Sequence, residues 1–171
     1  ALKDTVRANS PAVIRRLRKA GARKIIMLTG DHPERAAELA ADLGLDGVHA
    51  QLLPEDKARI IEDLRAGGAR VAFVGDGVND APALAAAHVG GAMQKGADIA
   101  PLTADIALLE DDIEKVAEAK EIADAVMRRV ATNYKLTVGV NTGILAGAAL
   151  GLLSPIATSV LHNLSLIHIS Q

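Results

Sequence analysis

The sequence predicts an α/β fold in which helices cover a parallel β-sheet. Three short apolar runs, at residues 25–28, 48–50 and 71–74, alternate with helical patterns at 11–20, 33–43 and 54–66. Each of those patterns begins at a proline, which fits a first helical turn because its missing N–H would lack a partner there anyway, and each stops before a glycine. Strands alternating with helices of this length indicate parallel pairing, and ligands of such sheets lie at the carboxyl ends of the strands. Composition agrees: half the residues are apolar, yet Phe and Tyr occur once each and Trp never. A core of Ala, Leu, Ile and Val suits helices on a parallel sheet, or helices packed closely in lipid, better than an aromatic-rich β-sandwich.

Further along, the pattern gives a short helix at 81–87, short apolar pieces at 89–93 and 105–109 that add strands, and a long charged helix at 111–134. Composition then changes. No charged residue occurs between Leu136 and Leu153, a length that begins to qualify as a transmembrane helix. Its four glycines permit close packing between membrane helices, although a buried helix of a soluble core is the other reading. Arg128, Arg129 and Lys135 flank its start and place that end on the cytoplasmic side. Ser154-Pro155 is the expected turn, and a second membrane helix from 156 onward stays short. The expected divisions are therefore 1–110, a connecting helix at 111–135, a transmembrane helix at 136–153 and a truncated last helix at 156–171, with 164–171 read as foreign to the rest.

The net charge of −2 and the lack of stacking aromatics argue against a nucleic-acid partner. The absence of cysteine excludes disulfides and thiolate metal sites in this chain. The opening Ala1-Leu2-Lys3-Asp4 has neither a starter Met nor a signal-like stretch, and reads as entry part-way through a larger protein.

Chemistry concentrates at three places. Thr29-Gly30-Asp31 ends the first strand, where a hydroxyl and free backbone N–H groups suit a phosphate, although Thr29 or Asp31 would also serve as an ordinary helix cap. In Leu53-Pro54-Glu55-Asp56-Lys57 a lysine occupies the first turn of a helix, where the macrodipole favours acids; either it is a solvated lysine or an anion is held nearby. Gly75-Asp76-Gly77-Val78-Asn79-Asp80 ends the third strand with hard oxygen ligands of the kind magnesium prefers, with Asp80 also placed to cap the next helix. Phosphate binder, charge neutraliser and metal site in that order are the parts of a phosphoryl-transfer centre.

Met27-Leu28-Thr29-Gly30-Asp31, Leu53-Pro54-Glu55-Asp56-Lys57 and Gly75-Asp76-Gly77-Val78-Asn79-Asp80-Ala81-Pro82-Ala83-Leu84 resemble the signature motifs of the phosphorylation domain of P-type ATPases, in particular the heavy-metal-translocating subclass. The resemblance runs from about residue 1 to 163. It implies a Rossmann-like fold of the haloacid-dehalogenase type, with Mg2+ and ATP as cofactors. It also implies that Thr29 contacts the phosphoryl group, Lys57 neutralises its charge, Asp76 binds magnesium, and Asn79 and Asp80 orient phosphate and metal. Asp4 and Arg7, in Asp4-Thr5-Val6-Arg7, resemble a hinge motif close to ATP. The family's nucleophile, an aspartate in Asp-Lys-Thr-Gly-Thr, has no counterpart in this sequence. The resemblance therefore implies that the actuator, nucleotide-binding and other membrane domains, together with that aspartate, belong to the remainder of the same polypeptide.

In this subclass the transported ion is chosen by side chains of the last membrane helices. Asn141, His162 and Asn163 are the polar candidates; imidazole suits zinc, cobalt, nickel or copper, and the missing Met and paired Ser point away from copper. The expected partners are thus a transition-metal cation and the lipid bilayer, in a prokaryotic plasma membrane. Two other enzymes fit parts of the pattern, a soluble haloacid-dehalogenase phosphatase and a potassium-pumping relative. A non-enzymatic phosphate- or magnesium-binding receiver-like module is the third alternative.

Overall fold

The computed structural model of the chain describes residues 10–75, 79–93, 104–108 and 112–169, with side chains described as far as Asn163. Its elements follow the order α1 (Ser10–Lys19), β1 (Ile26–Leu28), α2 (Pro33–Leu43), β2 (Gly47–His49), α3 (Pro54–Ala66), β3 (Ala72–Gly75), α4 (Ala81–Ala86), β4 (Val89–Met93), β5 (Ile106–Leu108), α5 (Glu114–Ala149) and α6 (Pro155–Ile169). The chain divides into two compact units, Ala1–Glu121 and Ile122–Gln171.

Local rules set the helix ends of the first unit. Pro33 and Pro54 open α2 and α3, as the sequence predicts. After α1, α2 and α3 the backbone turns left-handed at Gly21, Gly44 and Gly68. At each, two backbone bonds close the helix in the Schellman pattern; after α2 they are Gly44 N–H to Ala41 C=O and Leu45 N–H to Ala40 C=O.

All strand pairings are parallel, also as predicted. β1 pairs with β2, Met27 opposite Val48. β4 pairs with β3, Val74 opposite Gly91, and with β5, Ala92 opposite Ala107. Among the described residues these form a two-stranded and a three-stranded sheet rather than one continuous sheet. The two share a core. Buried Ile61 of α3 and Ala83 and Ala86 of α4 pack together, with Leu28 of β1 and Phe73 of β3 against them. A separate buried set, Val13 and Ile14 of α1 with Ala36 and Ala40 of α2, lies at helical spacing.

The second unit corrects an expectation. The apolar run from Leu136 to Leu153 is helical only as far as Ala149, and its last four residues lie in a turn. α5 continues through Asn133 without a break and ends at Ala149, four residues short of the expected end, and the next helix starts at Pro155. The stop is again a glycine, Gly151, at φ 72°, with Gly151 N–H bonded to Ala148 C=O and Leu152 N–H to Gly147 C=O. Counted back from that stop, the uncharged part of α5 begins only after Lys135. No helix among the described residues is long and apolar enough to cross a membrane.

Two predictions follow from this packing. Gly90 is buried in β4, and a Cβ there would lie 2.8 Å from Leu84 O, a backbone atom that cannot swing aside. Gly90→Ala should therefore lower stability by about 1–3 kcal/mol in thermal or urea denaturation; an unchanged midpoint would contradict the contact.

Asp46, leading into β2, accepts the Ile25 N–H at 2.7 Å and pairs with Arg18 at 3.1 Å. The Ile25 bond first, then Arg18, holds its carboxyl below the ordinary range. A depressed folded value means stabilisation that is present above the unfolded value, near 4, and lost as pH falls through the folded value. Asp46→Asn should be less stable than the parent at neutral pH, and the gap should close on acidification below about pH 4.

Candidate phosphoryl site

The site is built on the carboxyl ends of β1 and β3. After β1 the chain turns at Thr29-Gly30-Asp31, where the Thr29 hydroxyl oxygen accepts the Asp31 N–H at 3.1 Å. Neither residue caps α2: its N-cap position is His32, with no side-chain capping bond. The capping reading therefore fails for this turn. Thr29 is half-buried, Gly30 and Asp31 are exposed, and the Thr29 hydroxyl proton is still available to an oxygen of a ligand.

A second loop clamps this turn. Gln51 N–H donates to Asp31 C=O at 2.9 Å and Leu52 N–H to Thr29 C=O at 3.0 Å. To place both donors, Gln51 takes a left-handed φ of 55°, the one non-glycine residue to do so among those described. Sequence reasoning passed over Gln51, because glutamine carries no signal for that conformation. Leu52 leads into α3, whose start is fixed by the Asp56 carboxylate accepting the Leu53 N–H at 3.2 Å.

One turn into α3 stands Lys57, and here the solvated-lysine reading fails. Its ammonium donates to Asp80 Oδ1 at 2.6 Å, with the side chains only 16% and 10% exposed. Asp80 sits at the N-cap position of α4 but makes no side-chain capping bond. Its carboxylate turns instead toward Lys57 and Gly75. A Cβ on Gly75 would lie 2.9 Å from both Cβ and Cγ of Asp80, so the last residue of β3 has no room for a side chain.

The structure thus brings Lys57 and Asp80 together directly, and ties the Thr29-Gly30-Asp31 turn to the start of the Lys57 helix through Gln51 and Leu52. Asn79 is exposed beside Asp80. Asp76, Asp4 and Arg7 lie outside the described residues. The donors available here are oxygen only, which suits a hard cation rather than zinc, although no cluster of three or more His, Asp or Glu occurs among the described residues. A magnesium ion needs no such cluster, since one or two carboxylates with waters and phosphate oxygens complete its shell.

In the second unit, His162 of α6 and Asn141 of α5 also meet, Nδ1 to Oδ1 at 3.1 Å. In the tautomer with the proton on Nδ1, the amide oxygen accepts from the ring and Nε2 keeps its lone pair. Asn163 does not join them: its amide donates to Ser159 C=O on its own helix at 2.9 Å.

This arrangement has known relatives. The sequence model of the haloacid dehalogenase-like hydrolases matches residues 1–88. The chain belongs to that family. It is 44% identical over 167 residues, 96% of its length, to the manganese-exporting P-type ATPase of Mycobacterium leprae (strain TN) and to the zinc-exporting P-type ATPase of Mycobacterium marinum (strain ATCC BAA-535 / M). A solved structure of a zinc-transporting PIB-type ATPase in its E2.Pi state matches 99% of the chain at 36% identity, with a TM-score of 0.88. The chain is thus a homologue of heavy-metal P-type ATPases, and it spans 23% of the length of those two curated relatives and 28% of the solved one.

Removing one partner of a nearly buried ion pair leaves the other charge uncompensated, so Lys57→Met and Asp80→Asn should each destabilise the chain by roughly 3 kcal/mol. The double variant should recover a large part of the loss. Urea denaturation of the four proteins checks this; additive losses would show that the two residues act independently.

Proposed function

We propose that this chain is the phosphorylation-domain portion of an ATP-driven heavy-metal exporter, and that its site supports phosphoryl transfer to an aspartate elsewhere in the intact protein. The observation that carries the reading is the Lys57–Asp80 pair, beside the end of β3 and joined through α3 to the Thr29 turn. Thr29 and the adjacent backbone bind phosphoryl oxygens, Lys57 offsets their charge, and Asn79 with Asp80 orients phosphate and metal. Asp76, with Asp80, holds Mg2+, which when bound screens the charge developing on the transferred group. Asp4 and Arg7 lie toward ATP.

In this proposal Asn141 orients His162, whose Nε2 is a ligand for the transported transition metal, with Asn163 as a further candidate; manganese and zinc are the first ions to try, because the relatives carry those names. Export requires a membrane, so the intact protein is integral to one, with the phosphorylation domain on the cytoplasmic face. The second unit packs among the remaining membrane helices rather than spanning alone. Leu145, Leu150, Leu152 and Ile156 are at least 70% exposed and need such a cover.

The test is phosphorylation from γ-labelled ATP. The full-length protein should form a metal-stimulated, Mg2+-dependent acyl-phosphate, and Asp76→Asn should reduce it on the order of a hundredfold or more. The 171-residue chain alone should take up no label. Steady hydrolysis of a phosphomonoester by that chain alone would replace the proposal with the soluble phosphatase.

A further inference from the structure

The helix that carries Asp80 is too short to hold itself. α4 has six residues, about a turn and a half, a length at which an isolated helix is unstable, and no side chain caps its N-terminus. Its place is set by its neighbours. Gly75 of β3 leaves no room for a side chain against Asp80, and Gly90 of β4 leaves none against Leu84 C=O, so both strands bear directly on the helix.

α3 supplies the remaining contacts through one ridge. Lys57, Ile61 and Arg65 follow at four-residue steps, a spacing that lines them along one helix face over about 12 Å. Lys57 binds Asp80 at the N-terminal end of α4, buried Ile61 packs with Ala83 and Ala86, and Arg65 donates from Nη1 to Ala86 C=O at the far end. Ala86 is the last residue of α4, where carbonyls lack a partner within the helix and the macrodipole favours a cation. In the sequence Arg65 is only a basic residue in the last turn of its own helix, an ordinary position. The structure gives it a second helix to hold.

We infer that Arg65 is a positioning residue for the phosphoryl site: by holding the carbonyl end of α4, it fixes where the other end presents Asp80 to Lys57. This rests on the phosphoryl-transfer reading proposed above. About 9 Å of helix axis separates Asp80 from Ala86, so Arg65 acts through α4 as a unit and not on the reacting groups. Without it the helix can pivot on Ile61. A pivot that moves Asp80 by about an ångström loosens the Lys57 contact on which the site is built, and errors of that size in placement are costly to reaction rates.

A double-mutant cycle on the 171-residue chain reads the link directly. Distant sites act independently unless a shared element couples them, so independent effects of Arg65→Met and Asp80→Asn on the unfolding constant in urea would multiply. The double variant should instead fall short of that product by roughly fivefold or more. In the full-length protein, Arg65→Met should slow acyl-phosphate formation from γ-labelled ATP about tenfold or more, with the ATP concentration for half-maximal labelling unchanged. Arg65→Lys, which keeps a charged donor, should recover most of that rate. Val13→Ala, which weakens the separate buried set of α1 and α2, should label at the parent's rate. Effects that multiply, a parental rate in Arg65→Met, or an equal slowing in Val13→Ala would reduce Arg65 to a helix cap and overturn the inference while the site reading stands. A parent that takes up no label overturns both. Should Arg65→Met fail to fold, Arg65→Gln enters both measurements with the same expectations.

Discussion

The first unit is organised around a lysine and an aspartate that lie 23 positions apart and meet at 2.6 Å. That contact fixes α3 against α4, and the residues that pack beneath it, Ile61, Ala83 and Ala86, are the core shared by both half-sheets. A charged pair this enclosed contributes little net stability, because desolvation offsets most of its attraction. What it does supply is position. Lys57 cannot drift to solvent without stranding Asp80, and Asp80 cannot rotate to cap α4 without stranding Lys57. Both charges are held in place by each other, as the proposed phosphoryl site requires.

The surrounding backbone gives up local comfort to the same end. α4 goes without a side-chain cap, Gln51 accepts a left-handed conformation that disfavours a β-carbon, and Gly75 forgoes a side chain so that a carboxylate can approach. Each departure lies on the path from the Thr29 turn through α3 to β3. The glycine stops of α1, α2 and α3 and the parallel strand pairs, by contrast, follow ordinary local preferences.

Much of this could be read in the sequence because the signals were local. Proline at the start and glycine past the end gave α2 and α3 directly, and alternation of strand with helix gave parallel pairing. The partner of Lys57 was not local, and spacing alone left open whether the lysine was solvated or faced an anion. Capping stayed open beside ligand binding for Thr29, Asp31 and Asp80 because residue type cannot say whether a side chain faces its own helix or a neighbour. The end of the apolar helix was misplaced for a different reason. Gly139, Gly143, Gly147 and Gly151 recur at equal intervals in one uncharged stretch, yet only the last turns left-handed and ends the helix. Uniform composition concealed that difference, and Pro155 four residues later was the one available hint. Asp4, Arg7 and Asp76 lie outside the described residues, so their roles stay with the proposal.

The glycine stops also bear on the order in which the chain folds. Gly21, Gly44 and Gly68 each close a helix through bonds that reach back no more than five residues, whereas each parallel pairing joins residues at least 15 positions apart. Short-range closure takes far less time than long-range pairing. The glycine stops also fix how long a connection each helix leaves between one strand and the next, so in the folded chain a slip of two residues between β1 and β2 would require unwinding an end of α2.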